Sequence, residues 1–204
     1  MKLYVKDLIP EKIEDMKFLF LLESPFIDEV NFKMPLAGSS GKAVTNCLFN
    51  SLPNINIPKD YPFGCYIKNN KDDRFGIINC SNKPMDKKVY ETIINDDKES
   101  EIIILDRIRK NYKTKSSNRH LQEDKEMHKE LLNDLTQKLL AYHKKNNSFI
   151  IIACGILAKT FLSEIVINPS HQIIIMPHPS RGQWNRKENK EKLKSLIHLL
   201  KNHL

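Results

Sequence analysis

Three polar residues stand at or just past the carboxyl ends of apolar runs: Glu23 after Phe18 to Leu22, Asn79 within Phe75 to Cys80, and His178 after Ile173 to Met176. Their types suit hydrolysis. A carboxylate can orient a water or offset growing positive charge, and a histidine between Pro177 and Pro179 is rigidly presented as a hydrogen-bond donor. An asparagine offers a donor and an acceptor side by side. Each also has a plain structural reading: Glu23 as a helix cap or surface carboxylate, Asn79 as a strand terminator, His178 as an isolated structural histidine. Asp28 and Glu29 compete with Glu23 for the carboxylate role.

The elements that must position these residues follow from the apolar pattern. Short apolar runs at Phe18 to Leu22, Phe75 to Cys80, Phe149 to Ala153 and Ile173 to Met176 read as buried strands. Helical spacing marks Lys42 to Leu52, opened by the turn Gly38-Ser39-Ser40-Gly41, and a segment after Pro84 with Val89, Ile93 and Ile94 inward. It also marks Leu121 to Lys145, Ile156 to Leu162 and Arg186 to Leu204. Glu101 to Tyr112 fits a strand or a helix, with helix preferred. Residues 53 to 74, with three prolines and a charged run, read as a surface loop with a short extended piece at Cys65 to Ile67. Lys113 to His120 is a basic stretch, either a linker or a loop facing nucleic acid. Strands alternating with helices predict one α/β domain over residues 1 to 204, three layers αβα around a mostly parallel four-stranded sheet.

Composition narrows the partners. Lys and Arg number 33 against 25 Asp and Glu, a net charge of +8. That favours a polyanion, although a solvated lysine-rich surface gives the same count. The four cysteines form no CxxC pair, so neither a zinc site nor a disulfide framework is expected. No apolar run of membrane-spanning length and no signal-peptide pattern occurs, so a cytoplasmic protein is expected.

Taken in order, four segments resemble the uracil-DNA glycosylase superfamily. Leu22-Glu23-Ser24-Pro25-Phe26 with Lys33-Met34-Pro35-Leu36-Ala37-Gly38-Ser39-Ser40-Gly41 is similar to the first motif of its iron–sulfur branch, G-E-A-P-G and G-x-P-F-V-G-x-A-G. Ile77-Ile78-Asn79 resembles the strand ending in the base-reading asparagine. Ile151-Ile152-Ala153-Cys154-Gly155 resembles the V-V-A-L-G strand and turn, and His178-Pro179-Ser180 the H-P-S motif. The cysteines of the iron–sulfur branch are missing, so no cluster or other cofactor is expected. Leu36 stands where that branch has a stacking aromatic, which passes the task to Phe26. Ser24 replaces the aspartate of the most active branch, which leaves Glu23 as the nearest base.

The resemblance implies a monomeric DNA glycosylase with Glu23 and His178 catalytic, and with Asn79, Phe26, Ser24 and Leu36 around a flipped base. DNA contacts are expected from Ser39, Ser40, Gly41 and Lys42 at a helix N-terminus, and from Ser180, Arg181 and Arg186 on phosphates. Gln183 or Trp184 would wedge into the gap left by the extruded nucleotide, unless Trp184 simply packs on the last helix. The substrate would be uracil, a deaminated base or a modified base. A catalytically weak nucleic-acid-binding module is the alternative, and the absence of a G-x-S-x-G elbow argues against an esterase-like hydrolase.

Overall fold

The computed structural model describes residues 3–49, 52, 55–94, 100–114, 122–167 and 170–204, without the side chains of 112–114. Four strands, β1 (Phe18–Leu22), β2 (Phe75–Asn79), β3 (Ile150–Cys154) and β4 (Ile173–Met176), form one parallel sheet in the order β2-β1-β3-β4. β1, β2 and β3 are buried along their whole length, which is why their sequences run apolar without alternating. The N-terminal segment adds an antiparallel bridge, Leu8 to Ile77, on the outer edge of β2.

The helices are α1 (Ile27–Phe32), α2 (Ser39–Leu48), α3 (Phe63–Asn70), α4 (Lys87–Ile93), α5 (Ser100–Thr114), α6 (Gln122–His143), α7 (Ile156–Glu164) and α8 (Lys190–His203). One face of the sheet, with Phe18, Phe20, Leu22, Phe75 and Ile77, packs against α2, α3 and α8. The other, with Leu19, Leu21, Ile78 and Ala153, packs against α5, α6 and α7. The fold is therefore three-layered αβα, as the pattern predicts.

Two helices differ from expectation. α3 occupies the middle of the segment read as a loop: Pro62 is its N-cap, and Phe63 and Ile67 face the core one turn apart. The surrounding prolines delimit this helix rather than exclude it. Cys65 to Ile67 is thus helical, not extended. α1 interrupts the loop after Glu23. Glu29 stabilises it by accepting from the backbone N–H of Phe26 at 2.9 Å and of Leu36 at 2.7 Å. Glu101 to Tyr112 is helical, within α5. Of the basic stretch 113–120, residues 113–114 end α5 and the rest lies outside the described residues.

Candidate functional site at the carboxyl ends of the strands

The strand order reverses direction between β1 and β3, which makes their carboxyl ends the topological switch point of the sheet, the place where ligands of open α/β sheets bind. Along this crest stand, in spatial order, Asn79 on β2, Glu23 after β1, Gly155 after β3 and His178 after β4. The register, with Leu22 paired to Asn79, Leu21 to Ala153 and Cys154 to Met176, brings these four positions within two residues of one level.

Asn79 carries the most informative environment. Its side chain has no exposed surface, and neither its amide nitrogen nor its oxygen has a hydrogen-bond partner among the described residues. A buried amide left unpaired costs about 1–3 kcal/mol, and such groups in folded proteins call for an explanation. Alternation along β2 turns it toward the face shared with Phe75 and Ile77, the side of α2 and α3.

Glu23 points the other way. It is buried, and its Oε1 accepts from the backbone N–H of Leu157 at 3.1 Å, in the first turn of α7. The carboxylate thus satisfies one orphan donor and complements the positive end of the helix. Gly155 makes this contact possible: at φ 108° it holds a conformation other residues rarely adopt, and a Cβ there would lie 2.4 Å from Glu23 Oε1. The helix-cap reading of Glu23 is therefore realised, on α7.

The other two carboxylates separate by environment. Glu29 is buried and occupied by its two backbone donors. Burial pushes its pKa up, opposed by those hydrogen bonds, with Asp28 adding to the rise. Asp28 is exposed, and its carboxylate lies against Gly38, the N-cap of α2.

His178 is oriented by its neighbour. The backbone N–H of Ser180 donates to Nδ1 at 3.2 Å, and Ser180 Oγ lies 2.9 Å from the same nitrogen. With Nδ1 accepting, the neutral ring carries its proton on Nε2, an assignment inferred from these contacts. Ser180 is thus drawn toward the histidine, half-buried beside it.

Several expected contacts are rearranged. Trp184 is not a wedge: it has no exposed surface, its Nε1–H donates to Pro177 O at 2.7 Å, and its ring joins the core beneath α2 and α8. An indole offered packing and a carbonyl partner is held inside. The exposed tip of this turn is instead Arg181-Gly182, both left-handed at φ 55° and 63°, with Gln183 half-buried behind them. Leu36 is a core residue without exposed surface. Gly41 is buried, and a Cβ there would lie 1.8 Å from Leu36 O, so its lack of a side chain serves close packing. Ser39 and Lys42 remain exposed and Ser40 half-buried at the start of α2, which packs against the turn 180–185. Arg186 is exposed at the end of that turn. Phe26 is half exposed at the α1 N-cap, and Ile156 is similarly exposed at the start of α7, the helix whose Leu157 N–H Glu23 accepts. Ser24 is half-buried, and its Oγ accepts weakly from Met85 N–H at 3.4 Å.

Among the described residues no three His, Cys, Asp or Glu side chains gather as a metal site, and no helix is long and apolar enough to cross a membrane. The chain matches no family model and no curated protein.

Proposed function

We propose that the chain is a metal-free DNA glycosylase that flips a uracil, deaminated or modified base into the crest between Asn79 and His178 and leaves an abasic site. The observation that carries this reading is the buried, unpaired amide of Asn79. Its adjacent donor and acceptor complement the hydrogen-bonding edge of a nucleobase, which would repay the cost of leaving them unpaired. In the reaction, water adds to C1′ as the N-glycosidic bond breaks. The electron pair of that bond leaves on the base, and the water's proton passes to a carboxylate. His178 would donate from Nε2 to the base carbonyl as negative charge grows there. Phe26 would stack on the base. Arg181, Arg186, Lys42, Ser39 and Ser180 would meet phosphates, and the protruding Arg181-Gly182 tip would take the wedge role that buried Trp184 cannot. A monomer in the cytoplasm, with its four cysteines reduced, belongs to the same reading.

The binding-module reading draws support from one contact. Glu23 already spends Oε1 on α7, and its neighbour along the crest, Asn79, projects from the opposite face of the sheet. Two isosteric variants separate the readings. Glu23→Gln still offers Leu157 an acceptor, so the fold is expected to persist while excision falls at least about a hundredfold, the scale of a lost general base. The assay is alkaline cleavage of oligonucleotides carrying uracil, hypoxanthine, xanthine or modified cytosines, beside Asp28→Asn. Loss of excision in Asp28→Asn alone would move the catalytic role to the carboxylate at α2. Tight DNA binding with no excision by the native chain would favour the binding module.

A further inference from the structure

Behind Asn79, on the outer edge of β2, lies a polar cluster that the reaction itself does not use. Asp7 Oδ1 accepts from the backbone N–H of Asn79 at 3.2 Å and from Asn82 Nδ2 at 2.8 Å. Asp7 Oδ2 faces Lys138 Nζ at 3.1 Å, and the same ammonium reaches Asp134 Oδ2 at 2.8 Å and Asn82 Oδ1. Asn82 Nδ2 also donates to Val5 O at 2.7 Å. Lys138 is mostly buried. Burial works to lower its pKa, but Asp7 and Asp134 together carry it above the ordinary lysine value, so it stays charged.

The cluster answers a mechanical need. The Asn79 amide has no hydrogen-bond partner among the described residues to hold it, so its aim is set by the backbone it projects from. That backbone is the last residue of an edge strand, flanked on its outer side by the N-terminal segment through the Leu8–Ile77 bridge. Two residues beyond that bridge, a side-chain carboxylate takes the outward-facing N–H of the edge strand. A buried ion pair adds little to stability compared with well-packed apolar residues, so positioning is the more economical account of it.

We propose that Asp7, braced by Lys138, is the positioning residue for Asn79 and thereby sets selectivity among bases. The proposal rests on Asn79 reading the base. It is tested by a double-mutant cycle on the full chain: excision kcat/KM for native protein, Asp7→Ala, Asp7→Asn, Asn79→Ala and the Asp7→Ala/Asn79→Ala pair. Backbone amide exchange at Asn79 is measured alongside. Asp7→Ala is expected to lower kcat/KM for the preferred base about tenfold, the coupling typical of one hydrogen-bond network, and less for other bases. Asp7→Asn keeps an acceptor oxygen and should recover most of the loss. In the Asn79→Ala background the Asp7→Ala effect should shrink below about twofold. Equal losses in both backgrounds would overturn the proposal. If Asp7→Ala does not fold, Lys138→Met, which leaves Asp7 unbraced, should give the same selective loss, and a uniform loss across bases would count against positioning. If the native chain excises nothing, the glycosylase reading fails by itself. Exchange then decides the positioning: faster at Asn79 in Asp7→Ala than in Asp7→Asn supports it, and equal rates refute it.

Discussion

The unpaired amide of Asn79 is a local cost, and it makes a prediction about stability as well as chemistry. Asn79→Leu, similar in size and free of polar atoms, should stabilise the fold by about 1–2 kcal/mol in urea unfolding, because it removes a buried unsatisfied donor and acceptor. A loss of stability of that size would mean that the amide is paired in solution and has no vacancy for a ligand. Gly155 carries the opposite sign. Gly155→Ala should cost about 1–3 kcal/mol from backbone strain alone, and it would also drive the Glu23 carboxylate off α7. A change smaller than about 0.5 kcal/mol, measured by the same unfolding, would contradict the account of that contact. At this scale the positions of Asn79 and His178 and the cap alternative for Glu23 were legible in the sequence, because each lies at or just past the end of a short apolar run that reads as a strand. Trp184 and Leu36 were not: an indole beside two arginines reads the same whether it faces DNA or the core, and only packing against α2 and α8 decides.

At the scale of elements, the last turn of α6 meets the start of β3 through two histidines. His171 is buried against Phe149, its Nδ1 taking the Phe149 N–H at 3.2 Å, and its Nε2 lies 3.1 Å from His143 Nδ1. Burial holds the His171 pKa below the ordinary value, against the contact with the Phe149 backbone and with a small further push from His143. Below about pH 6.5 the unfolded chain therefore binds a proton that the native chain refuses. Stability should fall as pH drops from about 6.5 toward the native value of His171, with a slope of at most about 1.4 kcal/mol per pH unit. His171→Leu should flatten that portion of the curve, and an unchanged slope would assign it to other groups. β1 to β3 and α6 were readable because burial on both faces and helical spacing leave little choice, whereas the β-branched run of α5 fitted a strand as well as a helix. α1 and α3 were hidden for a physical reason: both are short, with weak intrinsic propensity, and depend on tertiary contacts, α1 on the Glu29 clamp and α3 on Phe63 and Ile67 docking against the sheet.

At the scale of the molecule, the proposed DNA contact draws on the exposed cations that line the crest. Arg181 and Arg186 extend from the turn that follows His178, and Lys42 stands at the start of the helix packed against it. Arg181→Ala and Arg186→Ala should each reduce the slope of log affinity for DNA against log salt by about 1, with little dependence on sequence. An unchanged slope would place the DNA elsewhere. The αβα architecture was predictable from alternating strands and helices, whereas the order of strands, which sets the switch point between β1 and β3, is a property of packing that no single segment encodes.

The central claim is that the Asn79 amide is unpaired because a base pairs with it. The most direct measurement compares native protein with Asn79→Leu on oligonucleotides carrying uracil, hypoxanthine, xanthine and modified cytosines, scored as abasic sites after alkaline cleavage. The account predicts excision of one base by the native chain and its loss in a variant that is at least as stable. Excision that survives in Asn79→Leu with the same base preference would contradict it.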